Sequence, residues 1–490
     1  MTRKTYILIL LLAGSINWKK SSAQFFDSLQ ASIGIESRFA SKDFQPLWLI
    51  ANRHGTVADR QTDLAPYIRI WNKHSIAEKE YQNNRGFYDA DPVTLSYGVS
   101  IYNNNHFKST FVEEAYGKVE FRNWSFRAGR FEEDLEDIDP RLSAGSFGVS
   151  GNALPIPKIG FAVTDYKVVP FTKGWLQFKG SIAHGWLGAD RYIQNSLYHE
   201  KTLFLRVGAR RLKFYGGFQH FAVWGGHRGD LQFDQSLASF KDVFLLKESG
   251  GGNHSGDHRG VLEGGAYWEN NAIKLHAYLQ KPFEGRHDIG LGTKNGKLGI
   301  IVSSKEDYTK LQGIILELIY TEAIDKNIPS NERESYYNNS VYKTGWEYLD
   351  NVIGIPLFTN RARASRYFPA IQPFDWENGK EIPGNANIVN NRIFAIHTGA
   401  LYSFSDRMSA KTLLTYVQNY GAPGVEAPYS PHKRQFYALQ QMAYDVLKYN
   451  LKITGAVGFD YGDLTSMNVM GGLLGIEWNF NARKNSSGYY

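Results

Sequence analysis

Aromatic residues stand beside charged or polar groups in three stretches. Trp224, His227 and Arg228 stand close together in the first. Tyr342-Lys343-Thr344-Gly345-Trp346-Glu347-Tyr348 is the second. Arg361, Arg363, Arg366, Tyr367, Phe368, Phe374 and Trp376 make the third. These types suit recognition of a sugar polymer. A pyranose ring has an apolar face that lies on an aromatic ring, and hydroxyls that need fixed polar partners. Acidic sugars add a demand for Arg, whose planar fork grips a carboxylate through two parallel hydrogen bonds. On this reading the candidate polysaccharide-binding residues are Trp224, His227, Arg228, Trp346, Arg361, Arg363, Tyr367 and Trp376. A structural reading competes with it, because Trp and Tyr also form the interfacial girdles of membrane barrels. Trp224, at a strand end, fits a girdle or loop packing as well as a ligand; Trp376 lies deeper in a loop.

Other groupings carry weaker chemistry. Glu132, Glu133, Asp134, Glu136, Asp137 and Asp139 could bind Ca²⁺, which takes several carboxylate oxygens, but they lack the EF-hand order of acids and glycine. A solvated loop, or one bridging lipopolysaccharide through divalent cations, is the plainer expectation. His254 and His258 are four apart, a ligand spacing only on a helix. The surrounding Gly250, Gly251, Gly252 and Gly256 argue for a flexible loop tip instead. His184, His220, His276 and His397 fall within strands, where a lumen face would draw them into hydrogen-bond networks. No nucleophile sits in a Gly-x-Ser-x-Gly setting. A triad is spatial and leaves no fixed sequence trace, so an outer-membrane hydrolase stays as an alternative to a non-catalytic protein. No metal or cofactor is assigned.

These residues need a scaffold, and the chain writes one in period two. Tyr449, Leu451, Ile453, Val457 and Phe459 share one face, while Asn450, Lys452, Thr454 and Asp460 share the other. Leu203, Leu205 and Val207 alternate with Thr202, Arg206 and Arg210 in the same way. Aromatics make up 14% of the 490 residues, with 48 Gly. Mean hydropathy is mildly negative. That profile fits a barrel, whose strands give lipid only every second residue. No later stretch of about 18 apolar residues forms a transmembrane helix. About 18 strands are expected, near residues 27–40, 64–72, 93–104, 109–121, 123–131, 158–168, 173–186, 201–210, 212–223, 259–268, 271–281, 297–302, 308–320, 391–404, 408–420, 433–446, 449–461 and 466–480.

The connections sharpen the picture. After the fifth strand they alternate between short (169–172, 211, 269–270, 303–307, 405–407, 447–448) and long (132–157, 187–200, 224–258, 282–296, 321–390, 421–432). Short periplasmic turns and long outer loops are the pattern of an outer-membrane barrel, and an even count puts both termini in the periplasm. Residues 73–92 break it: a long connection where a short turn belongs, with room for a plug or a short helix. Residues 105–108 and 462–465 are short where long loops belong. A periplasmic β-sandwich or propeller would also alternate, but no repeat of about 40–50 residues is visible.

The N-terminus reads as a secretory signal over residues 1–23. Arg3 and Lys4 precede the short apolar run Tyr6 to Gly14, and Ser21-Ser22-Ala23 offers small residues for cleavage. The barrel then spans 24–480, and 481–490 forms a polar tail. Without Arg3, Lys4, Lys19 and Lys20 the 55 basic residues fall to 51 against 48 acids, and +7 becomes +3. Apparent basicity is thus no argument for nucleic acid. With no Cys there is neither a lipoprotein anchor nor a disulfide framework.

Six segments, in order, resemble a known family. They are Phe44-Gln45-Pro46-Leu47-Trp48-Leu49-Ile50-Ala51-Asn52-Arg53-His54-Gly55, then Leu142 to Ser146, Ser150 to Lys158, and His220 to Gly226. Tyr342 to Leu357, and Asn390-Asn391-Arg392 running on to His397, complete the set. Their order and spacing resemble the Wzi family of capsule-assembly outer-membrane proteins, in the form common in Bacteroidetes. The resemblance covers nearly the whole mature chain. It implies an 18-stranded barrel in the outer membrane with a small helical element near the periplasmic end. It also implies non-catalytic, lectin-like attachment of capsular polysaccharide. The expected partners are that polymer, membrane lipid and lipopolysaccharide, and the expected state is a monomer. A diffusion porin is the alternative reading.

Overall fold

The computed structural model describes residues 29–82, 88–247, 256–285, 289–290, 294–306, 310–323, 335–374, 386–424, 428–465 and 468–481. Eighteen antiparallel strands close on themselves. They are β1 (Gln30–Ala40), β2 (Thr62–Gln82), β3 (Tyr88–Asn104), β4 (Ser109–Phe121), β5 (Trp124–Arg130), β6 (Lys158–Val168), β7 (Leu176–Trp186), β8 (Leu197–Ala209) and β9 (Leu212–Trp224). Then come β10 (Asp257–Glu269), β11 (Ile273–Phe283), β12 (Gly296–Ser304), β13 (Leu311–Tyr320), β14 (Ile393–Ser405), β15 (Met408–Asn419), β16 (Lys433–Val446), β17 (Leu451–Gly462) and β18 (Val469–Asn481). Each strand pairs with its neighbours in sequence. β1 closes the ring, with Ile33 opposite Ile68 of β2 and Trp478 of β18.

The outer surface shows why period two was the right signal. Leu203 and Leu205 on β8, Ile453, Val457 and Phe459 on β17, and Leu474, Ile476 and Trp478 on β18 all stand exposed on the barrel's outside. So many exposed large apolar side chains would be untenable in water and belong in lipid. Trp175, Trp268, Tyr444, Tyr449 and Trp478 ring the short-turn end of this belt, and Trp186 and Tyr461 stand at the other.

Two expectations are corrected. The described residues of 73–92 are strand rather than plug or helix: β2 runs on to Gln82 and β3 starts at Tyr88, in register from Ala77 opposite Val93 to Gln82 opposite Tyr88, and 83–87 lie outside the described residues. Past the lipid belt neither face must be apolar, so the alternation that marks a strand fades while the hydrogen-bond ladder continues. The helical elements are also placed differently. The helices α1 (Leu47–Ile50), α2 (Leu237–Phe244) and α3 (Arg361–Ala364) all belong to long-loop connections. Among the described residues the short-turn end holds a single 3₁₀ turn, Leu447–Tyr449.

Inside, the wall is polar and aromatic. Several rings lie flat across a glycine on the neighbouring strand, as Tyr67 does over Gly34, Phe204 over Gly217 and Tyr278 over Gly299. Only a residue without Cβ admits such an approach: a Cβ at Gly299 would fall inside the Tyr278 ring. Gly299→Val is therefore expected to displace that ring and cost about 1–3 kcal/mol, the usual toll of overpacking. Thermal unfolding in detergent would show it as a lowered midpoint, and an unchanged midpoint would contradict the assignment.

Candidate functional site

The lumen is filled by a plug built from two outer loops. Residues 131–157 and 335–374 turn inward and bury their apolar side chains against each other and the wall. Ala144, Phe147, Leu154, Trp346, Ile353, Ile355 and Phe358 join one core with Val261 and Ile319 of the barrel. The two loops are cross-tied. Ser150 N donates to Ile353 O (2.9 Å), Asn152 Nδ2 to Val352 O (2.8 Å) and Trp346 Nε1 to Gly148 O (2.6 Å). Tyr337 Oη donates to Phe147 O (2.7 Å).

Charged groups fasten the plug to the wall. Glu317 of β13, fully buried, accepts from Ser143 Oγ and Ala144 N, both at 2.7 Å. Lys297 of β12 donates to Gly145 O at 2.9 Å. His397 Nε2 lies 2.7 Å from Leu142 O, and its Nδ1 lies 2.7 Å from Thr415 Oγ1. That is the hydrogen-bonded lumen role expected of a strand histidine.

The acidic cluster is corrected by the same geometry, because half of it faces the wall rather than solvent. Glu133 pairs with Arg127 (2.7 Å) and with Lys158, Asp137 pairs with Lys179 and accepts from Tyr267 Oη (2.5 Å), and Glu136 accepts from Gln219 (2.9 Å). Burial alone would raise the Asp137 carboxyl, but Lys179 and its hydrogen bonds hold it below the usual carboxylate value.

The segment Phe44 to Gly55 is the hub of this arrangement. Its helix α1 drops from the long-loop end onto β16–β18. Leu47 N donates to the Asp460 carboxylate (3.0 Å), and Trp48 Nε1 to Thr415 Oγ1 (3.0 Å). Leu49 packs where Gly458 leaves room for it. One side of this segment lines an inner cavity of about 470 Å³ with Arg53, His54, Glu132, Lys411 and Gln441. The other side lines a pocket of about 250 Å³ that three outer connections share. Asp59, Asn152, Asp350, Asn351, Asn360, Arg363 and Arg366 furnish its polar groups, and Phe358 and Pro356 its apolar floor. Fixed polar donors and acceptors around a small apolar floor suit a sugar ring.

The eight candidate residues do not converge. Trp346 is fully buried in the plug and packs against Tyr198, Phe221 and Arg259. Trp224 is buried beneath α2, beside His184 and Phe240. His227 lies 3.1 Å from Asn195 in a small hairpin, and Arg228 stacks on Tyr192 while donating to its carbonyl (2.8 Å). Arg361 is buried and donates to Ala386 O (2.7 Å). Arg363 pairs with Asp59, donates to Gln45 O (2.8 Å) and, with the buried Tyr367, packs on Phe44. Trp376 lies outside the described residues. Of the seven that are described, Arg363 alone lines the outer pocket. Apart from Arg366, which the third stretch already contained, its other polar residues are short Asn and Asp side chains without periodicity, which only tertiary folding gathers.

Beneath the pocket, Glu347 accepts from Asn360 Nδ2 and Asn387 Nδ2, both at 2.6 Å. Burial, reinforced by Asp350, pushes its carboxyl up to about 7. Burial and the nearby Asp190 raise Asp350 likewise. For Glu347 the sign follows from linkage. The folded state holds the proton more tightly than the unfolded chain, so the contribution is full below the ordinary value of 4.5 and is lost as pH rises through about 7. The plug should therefore dock more firmly as pH falls from neutral, by at most about 3 kcal/mol. Glu347→Gln keeps an acceptor for both Asn side chains and removes the titration. Its melting temperature should vary less than the wild type's between about pH 5 and 8. Parallel pH profiles would refute the assignment.

No protein-family model matches this chain, and no curated protein matches it. Among solved structures the fold is similar to Wzi of Escherichia coli, an outer-membrane protein involved in group 1 capsule assembly and a carbohydrate-binding β-barrel. The TM-score is 0.58 over 91% of this chain and 84% of that one, at 11% identity. At this identity the likeness is one of fold. OccK5 of Pseudomonas aeruginosa (TM-score 0.46, 9% identity, 93% of this chain and 98% of that one) is more distant. So is the outer-membrane channel DcaP of Acinetobacter baumannii (0.38, 9%, 92% and 96%). The protein is a closed 18-stranded outer-membrane β-barrel.

Proposed function

We propose that this barrel binds capsular or exopolysaccharide at the cell surface and supports capsule attachment, without catalysis. The observation that carries the reading is the plug. Two loops fixed in the lumen by buried ion pairs and hydrogen bonds are poorly suited to free diffusion, and they present a polar pocket toward the long-loop end. The carbohydrate-binding capsule barrel that shares the fold supports the same reading. Retention is non-covalent: Asn, Asp and Arg groups hold sugar hydroxyls and carboxylates weakly at each copy, and a polymer bridging many copies is held strongly.

Deleting the gene tests this directly. Capsule should move from the cell-attached to the released fraction, and unchanged attachment would sink the proposal. Planar-bilayer recordings address the porin alternative, with low, unsteady conductance expected of the plugged barrel. A screen against lipid and peptide esters is expected to show no turnover.

A further inference from the structure

Strand β4 contains an irregularity beside the entry of the plug loop. Ser100 of β3 faces Glu114, but Ile101 faces Val112, so Glu113 is an extra, unpaired residue. Such a bulge re-aims side chains. Here it turns two successive glutamates inward between the outward-facing Val112 and Ala115. Glu114 Oε1 accepts from Glu132 N at 2.8 Å, which holds the start of the plug loop against β4. Glu113 is 1% exposed, and its Oε1 has no hydrogen-bond partner. Ligand atoms of His54, Glu113 and Glu132 all lie within 4.8 Å of one another.

His54 reaches this place through an unusual backbone. Its φ is +53° at Asn52 and +50° at His54 itself, values that a non-glycine residue adopts only when its surroundings impose them. His54 N donates to Gly151 O (2.6 Å), and the ring lies over Gly151, where a Cβ would sit 3.1 Å from it. Arg53 donates two bonds of 2.7 and 2.8 Å to Glu36, a carboxylate that also pairs with Arg38.

We propose that His54, Glu113 and Glu132 form a divalent-metal site of the zinc class that staples the plug to the barrel wall. Two carboxylates and an imidazole are a nitrogen–oxygen set that zinc-like ions take readily and Ca²⁺, an all-oxygen ion, does not. The spacing agrees. Tetrahedral ligands at about 2.1 Å from an ion stand about 3.4 Å apart, and His54 Nε2 lies 3.5 Å from Glu132 Oε2. A side-chain rotation would bring Glu113, whose ligand atom lies within 4.8 Å of the other two, into the third position, and solvent would complete the shell. The ion would join three elements at one point: the wall at β4, the entry of the 131–157 loop, and the segment that carries α1.

The test uses the full-length barrel in detergent micelles, stripped with chelator and titrated calorimetrically with ZnCl₂ and separately with CaCl₂. One equivalent of Zn²⁺ is expected to bind. Glu113→Gln and His54→Ala should each weaken it by roughly 10–100-fold or more, since losing a ligand costs at least what losing a supporting partner does. Wild-type binding no tighter than that of either variant would overturn the site. So would Ca²⁺ binding as tightly as Zn²⁺, or full affinity in His54→Ala, either of which would mean an oxygen-only cation site. Heat-modifiable migration on gels reports folding of each variant. Should Glu113→Gln fail to fold, Co²⁺ loading of the wild type decides: tetrahedral or five-coordinate bands support the site, and a spectrum like hydrated Co²⁺ overturns it.

Discussion

Glu317→Ala is expected to loosen the plug at its deepest anchor. Glu317 is fully buried on β13, and four groups depend on it. Ser143 Oγ and Ala144 N donate to it from the plug, Tyr278 Oη donates from β11, and Lys297 Nζ lies 3.2 Å away. Lys297 is itself fully buried, and its other partner is the plug carbonyl of Gly145. Truncation would leave a buried ammonium without its counter-charge and three donors without an acceptor. Breaking a buried pair on one side costs about 3–5 kcal/mol, because the stranded charge stays out of water. The cost falls on the contacts between plug and wall, so the barrel ladder itself should survive. Protease should then cut within 139–151 faster than in the wild type, and bilayer conductance should rise. Glu317→Gln, which keeps an acceptor but not the charge, should fall between. A plug as protease-resistant as the wild type's in Glu317→Ala would show that the other anchors suffice.

That anchor leaves only a faint trace in the sequence. Leu311 to Tyr320 reads as an almost wholly apolar strand with one acid, Glu317. A lone carboxylate on the inner face of such a strand must find partners, and while Tyr278 and Lys297 come from the wall, Ser143 and Ala144 come from a loop more than 150 residues away. Period two resolves which residues meet lipid, because every strand faces the same solvent on that side. It is silent about the lumen, where each residue answers to a particular neighbour. Thus Leu203 and Leu205 were placed correctly from alternation alone, while Trp346 and Tyr367, read as loop aromatics, proved to be buried. The described parts of 73–92 fail for a related reason: once a strand leaves the bilayer its pattern has nothing to report, although its pairing continues as far as Gln82 opposite Tyr88. Glu113 is hidden in another way, since a bulge shifts the alternation by one residue and only the register reveals it.

Arg366→Ala is expected to weaken polysaccharide binding far more than it weakens the fold. Arg366 is exposed at the rim of the outer pocket, near Asp350 and Asn351. Surface changes of this kind usually shift stability by no more than about 0.5 kcal/mol. A hydrogen bond from a charged donor to a ligand contributes about 1.5–3 kcal/mol, so a single-repeat fragment of an acidic polymer should bind roughly 10–100-fold more weakly. The intact polymer amplifies this, because a chain held by several copies loses the factor at each of them. Capsule released from cells should therefore rise more steeply than the fragment affinity falls. Arg228→Ala makes the matched control: it removes a loop arginine that stacks on Tyr192 outside this pocket, and fragment binding should hold. Arg366→Lys carries the chemistry further. It keeps the charge and loses the planar fork, so a loss close to that of Ala points to two-pronged binding of a sugar carboxylate. Retention of most of the affinity points instead to simple charge attraction. If Arg366→Ala and Arg228→Ala bind the fragment equally well, the outer pocket is not the binding site.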